Sequence, residues 1–176
     1  MNVLFHTTTA IGVAVLLTDT NRLQTAPAKK ILATGVFAFL LGILAHGALD
    51  YVPHCYPLPS KVDAVLGLAM ILGLLWRTNP PYRLVMGLAC LGCVFPDVID
   101  LSPAILNKYA GFSLPVYGNL FPWHWKAYSG SLYTADCSVS TANHVCVVFM
   151  VATVCWFRRS DMLTVFNMKK QQNNRA

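Results

Sequence analysis

A chain of 176 residues is enough for about one domain. It is 56% hydrophobic and only 11% charged, far below the roughly one-quarter charged content of soluble domains, which excludes an ordinary soluble fold. The net charge of +6 does not point to nucleic acid, because the basic residues sit in short stretches between apolar runs, where they set membrane orientation.

Five apolar segments follow one another along the chain: Val3 to Leu17, Ile31 to Leu49, Val62 to Trp76, Tyr82 to Phe95, and Ala142 to Phe157. A full crossing takes about 20 residues, so the shorter segments must recruit polar flanks or cross thinned bilayer. The first charged residue is Asp19 and no basic stretch precedes the first apolar run, which is therefore read as a retained span.

Lysine and arginine orient these spans. Arg22, Lys29, Lys30, Arg77, Arg83, Arg158, Arg159, Lys169, Lys170 and Arg175 fall on one side, and only Lys61, Lys108 and Lys126 on the other. The side richer in positive charge is cytoplasmic. The expected fold is an all-α polytopic membrane bundle of about five transmembrane helices, with the N-terminus outside and the C-terminus cytoplasmic. It forms a single integral membrane domain over residues 1–176, with an outer loop about 96–141 and a cytoplasmic tail about 158–176.

Within the outer loop, Ser102-Pro103 has the form of an N-cap followed by proline, with Gly111 as a stop; this predicts a short interfacial helix. Phe121, Trp123, Trp125 and Tyr128 supply aromatics suited to a membrane interface, and Ser129 to Thr134 read as a polar turn. Residues Gln171 to Ala176 are expected to fray. Cys90 and Cys93 sit inside an apolar run as small packing residues, whereas Cys55 and Cys137 lie in outer loops where a disulfide can form.

This orientation places all five histidines on the outer side, together with Asp50, Asp63, Asp97, Asp100 and Asp136. Only Asp19 and Asp161 fall on the cytoplasmic side. The chain contains no glutamate, so carboxylate chemistry falls to aspartate. Ionisable groups at membrane depth are costly and usually functional.

His46 and Asp50 are four apart and share a helix face; Pro53 then turns His54 toward the same edge. Asp97 and Asp100 follow Pro96, and two carboxylates so close repel unless a cation or proton intervenes. His6 lies one turn inside the first span and His144 opens the last. The expected metal ligands are His6, His46, Asp50, His54, Asp97, Asp100 and His144, with Asp63 and His124 as catalytic proton carriers or substrate contacts. Imidazole and carboxylate together suit a divalent metal, zinc first, with manganese or iron as alternatives. A pair of ions would use so many donors more fully and suit phosphoester hydrolysis.

His6, the span-ending His46-x-x-x-Asp50 with Pro53-His54, and Pro96-Asp97-x-x-Asp100 resemble the membrane-bound metal-dependent hydrolase family, which includes the SOS-regulated inner-membrane type. The likeness covers about the first 100 residues. That family's later motif reads His-Arg-Gly-x-Thr-His, from which Trp123-His124-Trp125 and Tyr128-Ser129-Gly130-Ser131 depart. The resemblance implies a metal-dependent hydrolase in a bacterial inner membrane.

The leading expectation is thus a membrane-embedded hydrolase at the outer interface, acting on a lipid-linked phosphoester, with membrane lipids as its partners. One alternative is a non-catalytic subunit of a larger membrane complex, partnered by other membrane subunits, whose polar cluster is structural. Another is a haem-binding bundle with two axial histidines, less suited to nearby aspartates.

Overall fold

The computed structural model describes residues 1–116, 118–133 and 137–166. Asp136 and the tail from 167, with Lys169, Lys170, Arg175 and the expected fraying, lie outside the described residues. Helices account for almost all regular structure: α1 Val3–Leu17, α2 Thr20–Leu23, α3 Ala28–Tyr51, α4 Ser60–Arg77, α5 Arg83–Ala110, α6 Ser138–Phe157 and α7 Arg159–Phe166. Single 3-10 turns at Pro80–Tyr82 and Pro122–His124 complete the list, and no strand occurs among the described residues.

Each apolar segment of the sequence lies in a helix. Three are long and apolar enough to cross a membrane: α3, the stretch Pro80–Ala110 that contains α5, and α6. The 15 residues of α1 reach only about 22 Å at 1.5 Å per residue. Helix α4 is 18 residues long and carries Lys61, Asp63 and Arg77.

The expected separate helix after Ser102 is instead the end of α5, which runs unbroken through Pro96 and Pro103. Val98 and Leu101 continue the apolar pattern past Pro96 and Ile105 continues it past Pro103, all three exposed on a cavity shared with α4. The predicted stop holds: Gly111 ends α5 at φ +70, in the left-handed region that glycine adopts freely.

The bundle is organised by α3 crossing α5 through small residues. A Cβ on Gly92 would lie 2.2 Å from the Phe39 carbonyl oxygen, and one on Gly42 would lie 2.8 Å from the Cys93 nitrogen. Backbones this close are the membrane-helix solution to packing without a hydrophobic drive between helices. Ala38, Ala89, Cys90 and Cys93 fill the seam, and Ala10, Val13 and Ala14 of α1 pack beside it. Facing outward, Leu32, Val36, Phe37, Leu40 and Leu44 of α3, and Val145, Phe149, Trp156 and Phe157 of α6, are exposed. So large an apolar surface fits contact with hydrocarbon.

At one end of the bundle, Asp161 of α7 accepts hydrogen bonds from the Thr20 amide at 3.0 Å and hydroxyl at 2.7 Å, and it pairs with Arg158 at 3.0 Å. Partial burial pushes this carboxyl up, but the Thr20 bonds and the Arg158 charge hold it below its ordinary value. A lowered folded-state pKa gives stability that is complete above the unfolded value, about 3.9, and is lost as pH falls through the folded value. Asp161→Asn should therefore cost about 2 kcal/mol at neutral pH and progressively less below about pH 4, in thermal melts across that range.

Candidate metal centre

The last two turns of α3 deliver the first two donors. His46 and Asp50 sit one turn apart on one face, and both are buried. The Gly42–Gly92 crossing lies one turn before His46, which brings α5 close enough for His46 Nδ1 to donate to the Cys93 carbonyl at 2.7 Å. That bond fixes the tautomer and leaves Nε2 as the free ring nitrogen, facing Asp50 Oδ2 at 3.1 Å and Asp97 Oδ1 at 3.7 Å. Asp97 comes from α5, just after Pro96.

The fourth donor arrives from the loop. A Cβ on Gly47 would lie 2.7 Å from the Trp123 ring, so the bare glycine lets the Pro122–His124 turn lie against α3. Asp100 then organises that turn. It accepts from the amides of Leu120 at 2.9 Å and Phe121 at 3.2 Å, and from His124 Nδ1 at 2.7 Å. His124 Nε2 is thereby aimed at Asp50 Oδ2, 3.2 Å, and at Asp97 Oδ1, 3.4 Å.

His46, Asp50, Asp97 and His124 form, among the described residues, a group that could hold a metal ion, with donor atoms within 4.8 Å of one another. Two features fit a cation. Bonds of 2.0–2.1 Å in a tetrahedron put neighbouring ligand atoms about 3.3 Å apart, and the two histidine Nε2 atoms are 3.3 Å from each other. Both imidazoles also have Nδ1 tied outward, one to a backbone carbonyl and one to a carboxylate, which is how metal-ligating histidines are held.

Other predicted residues surround this group in different roles. His6 stacks on His46 with ring centroids 3.9 Å apart and approaches Asp50 Oδ1 at 3.3 Å, on the carboxylate oxygen away from the donor group. The Met1 amino group pairs with that same oxygen. Asp100 lies behind His124 and positions it. Asp63, expected as a proton carrier, accepts from the amides of Val3 at 2.7 Å and Leu4 at 3.3 Å, capping α1, while also lining the cavity.

His54 and His144 stand outside the four-donor group. Helix α3 ends at Tyr51, and His54 bonds instead to Val52, Tyr56 and Ser131. His144 stacks on Phe5 at 3.9 Å. Cys55 and Cys137 are joined in a disulfide, tying the end of α3 to the start of α6.

The group opens on a cavity of about 770 Å³ whose lining includes Asp50, Asp97 and His124. Its apolar lining comes from α4 and α5, notably Leu68, Ile71, Val98, Leu101 and Ile105. Tyr56, Asn119, Lys126, Ser129 and Ser131 add polar groups that motif reasoning passed over; the Ser-Gly-Ser spacing read only as a turn.

Burial alone would lower His124, but hydrogen bonds to Asp50, Asp97 and Asp100 win and raise it to about 10. Below that value the ring holds a proton that a metal must displace. Metal affinity should rise by about tenfold per pH unit on the way up to it, with about one proton released per ion, as calorimetry in buffers of different ionisation enthalpy would detect.

Asp100→Asn leaves the four donors in place but removes the charge that orients His124. Metal affinity should fall by about 10- to 100-fold, read by competition with a chromogenic chelator.

Fold and site together define an all-helical protein with membrane-length helices and a two-histidine, two-aspartate group. Comparison with family models, curated proteins and solved structures finds no match.

Proposed function

We propose that this chain is an integral membrane metal-dependent hydrolase, with its site at the outer membrane–water interface, acting on a lipid-linked phosphoester. The observation that carries the reading is the convergence of His46, Asp50, Asp97 and His124 on a cavity whose lining is partly polar and partly apolar. An amphiphile fits such a cavity, with its headgroup on the polar side and its chain along the apolar wall contributed by α4 and α5. Lys126 and Asn119 on the same cavity offer a positive charge and an amide for a phosphate.

Zinc is the metal we assign, on the compact spacing and the mixed nitrogen and oxygen donors. When bound, it would supply an activated water and neutralise phosphate charge. The chain's own residues hold the geometry: Cys93 carbonyl and Asp100 orient the imidazoles, and His6 braces Asp50. We further propose five spans, α1 and α3 to α6, with the N-terminus outside and a bacterial inner-membrane location. The concentration of lysine and arginine at the opposite ends of the helices supports that orientation.

The experiment is metal analysis of detergent-purified protein, followed by phosphate release from vesicles containing a lipid pyrophosphate or phosphate monoester. Near-stoichiometric zinc and release abolished by chelator support the proposal. Protein without bound metal at any pH overturns the site. Bound metal without release, in a protein that copurifies with other membrane subunits, overturns the hydrolase in favour of a structural role.

A further inference from the structure

The same cavity is bordered by a second set of reactive groups, outside the four-donor group. His54 is fully buried, and its Nδ1 donates to the Val52 carbonyl at 2.7 Å. That bond fixes the proton on Nδ1 and leaves Nε2 as an acceptor. Ser131 Oγ lies 3.2 Å from that nitrogen. Around Ser131, Tyr56 Oη is at 2.8 Å and Ser129 Oγ at 2.8 Å, while Tyr56 Oη is also 3.1 Å from His54 Nε2.

The three hydroxyl protons can be placed in more than one way, and one placement points the Ser131 proton at His54 Nε2. In that placement Tyr56 and Ser129 donate to Ser131 Oγ, and Ser131 donates to His54. A serine oxygen that gives its proton to an oriented imidazole has the arrangement of an activated nucleophile, once an incoming substrate displaces one of the two donors from its lone pairs.

The backbone holds this pair rigidly. The His54 amide donates to the Gly130 carbonyl at 2.9 Å, and the Leu132 amide donates to the His54 carbonyl at 2.7 Å. A Cβ on Gly130 would meet the Val52 carbonyl oxygen at 2.3 Å, so only glycine permits the approach. The Cys55–Cys137 disulfide begins at the very next residue after His54. A chain segment that served only as a turn would not need a buried histidine clamped from both sides. Tyr56, Ser129 and Ser131 all line the cavity, so the oxygen is reachable from it.

We propose that Ser131 is a catalytic nucleophile and His54 its general base, forming a metal-independent acyl-transfer site for carboxylic esters of amphiphilic alcohols. The Ser131 oxygen forms a bond to the ester carbonyl carbon as its proton passes to His54 Nε2. The carbon–oxygen bond to the alcohol then breaks, and the departing alkoxide takes that proton and leaves as the alcohol. Water repeats the sequence on the acyl-serine: its proton goes to His54, its oxygen bonds to the carbonyl carbon, and Ser131 departs with the proton, releasing the carboxylic acid. Burial is the main effect on the His54 imidazole and pushes it below its ordinary value, so the base is unprotonated at neutral pH. Tyr56, pushed up to about 12 chiefly by burial, keeps its proton and remains a donor to Ser131.

The test is labelling of the full chain in detergent by an alkyl fluorophosphonate, with chelator present and the modified residue located by peptide mass spectrometry. The probe's phosphorus takes the place of the carbonyl carbon and fluoride is the leaving group. The expected result is near-stoichiometric label on Ser131, none with Ser131→Ala, and labelling slowed about 100-fold or more with His54→Gln. Helical content and the intact Cys55–Cys137 bond, measured on each variant, separate lost reactivity from lost fold. Wild-type protein that stays unlabelled, or label on Tyr56 or Ser129 instead, overturns the proposal whatever the metal content proves to be.

Discussion

Asp50→Asn should empty the metal group and loosen the bundle together. Its two carboxylate oxygens serve four partners: Oδ1 takes His6 and the Met1 amino group, and Oδ2 takes His46 and His124. An asparagine turns an amide N–H₂ toward one of these pairs and leaves those groups without an acceptor. Removing one side of a buried charged cluster typically costs 3–5 kcal/mol, so we expect a loss of about 3 kcal/mol in chelator-treated protein. Metal affinity should fall by about 100-fold or more, since this change strikes a donor and loss of a residue that merely orients a donor can alone reach that size. Metal content after dialysis and thermal melts with and without chelator measure the two effects separately. A variant that kept wild-type metal would remove Asp50 from the donor set.

The second large effect lies away from the site. Gly92→Val places a branched side chain where a Cβ alone would be 2.2 Å from the Phe39 carbonyl oxygen and 2.8 Å from its carbon. These are backbone atoms, so no side-chain rotation relieves the clash and α3 must separate from α5. Overpacking of this kind costs about 3 kcal/mol. The consequence should reach the metal group, because the bond from His46 to the Cys93 carbonyl spans the same seam. We expect lower thermal stability and weaker metal retention in the one variant. Gly73→Ala, on α4 with open space around the added carbon, should lower neither, and alanine's better helix propensity should add up to about 1 kcal/mol. Equal behaviour of the two variants would show that the seam does not set the site.

The helices and half of the site were legible from residue spacing. Five apolar runs are unambiguous when charges are so few, and His46-x-x-x-Asp50 has only one meaning on a helix. Asp97 was legible because a carboxylate at the end of an apolar run demands a partner.

His124 was harder. Its position depends on Gly47 admitting Trp123 and on Asp100 gathering three donors, contacts between segments that no local pattern announces. His54 and His144 looked equivalent to His46 by their place along the chain, yet the structure gives one a hydroxyl network and the other a phenyl ring. Asp100, expected as a ligand, bonds His124 Nδ1 and two loop amides. Pro103 misled for a different reason. Local rules treat proline as a helix start, whereas the apolar pattern of α5 continues past it at Ile105 and the helix runs on to Ala110.

The bond between Cys55 and Cys137 also works as a compass. Disulfides persist in oxidising compartments and are rare where glutathione and thioredoxin keep thiols reduced. The bond sits at the end of the bundle that holds the metal group, because Cys55 follows five residues after Asp50 and is clipped to the same loop as His124. In the orientation proposed above this end faces away from the cytosol, where such a bond persists, a redox argument that owes nothing to the placement of lysine and arginine. The bond also adds a covalent tether, one residue after His54, to the hydrogen bonds that hold His54 against Gly130 and Leu132.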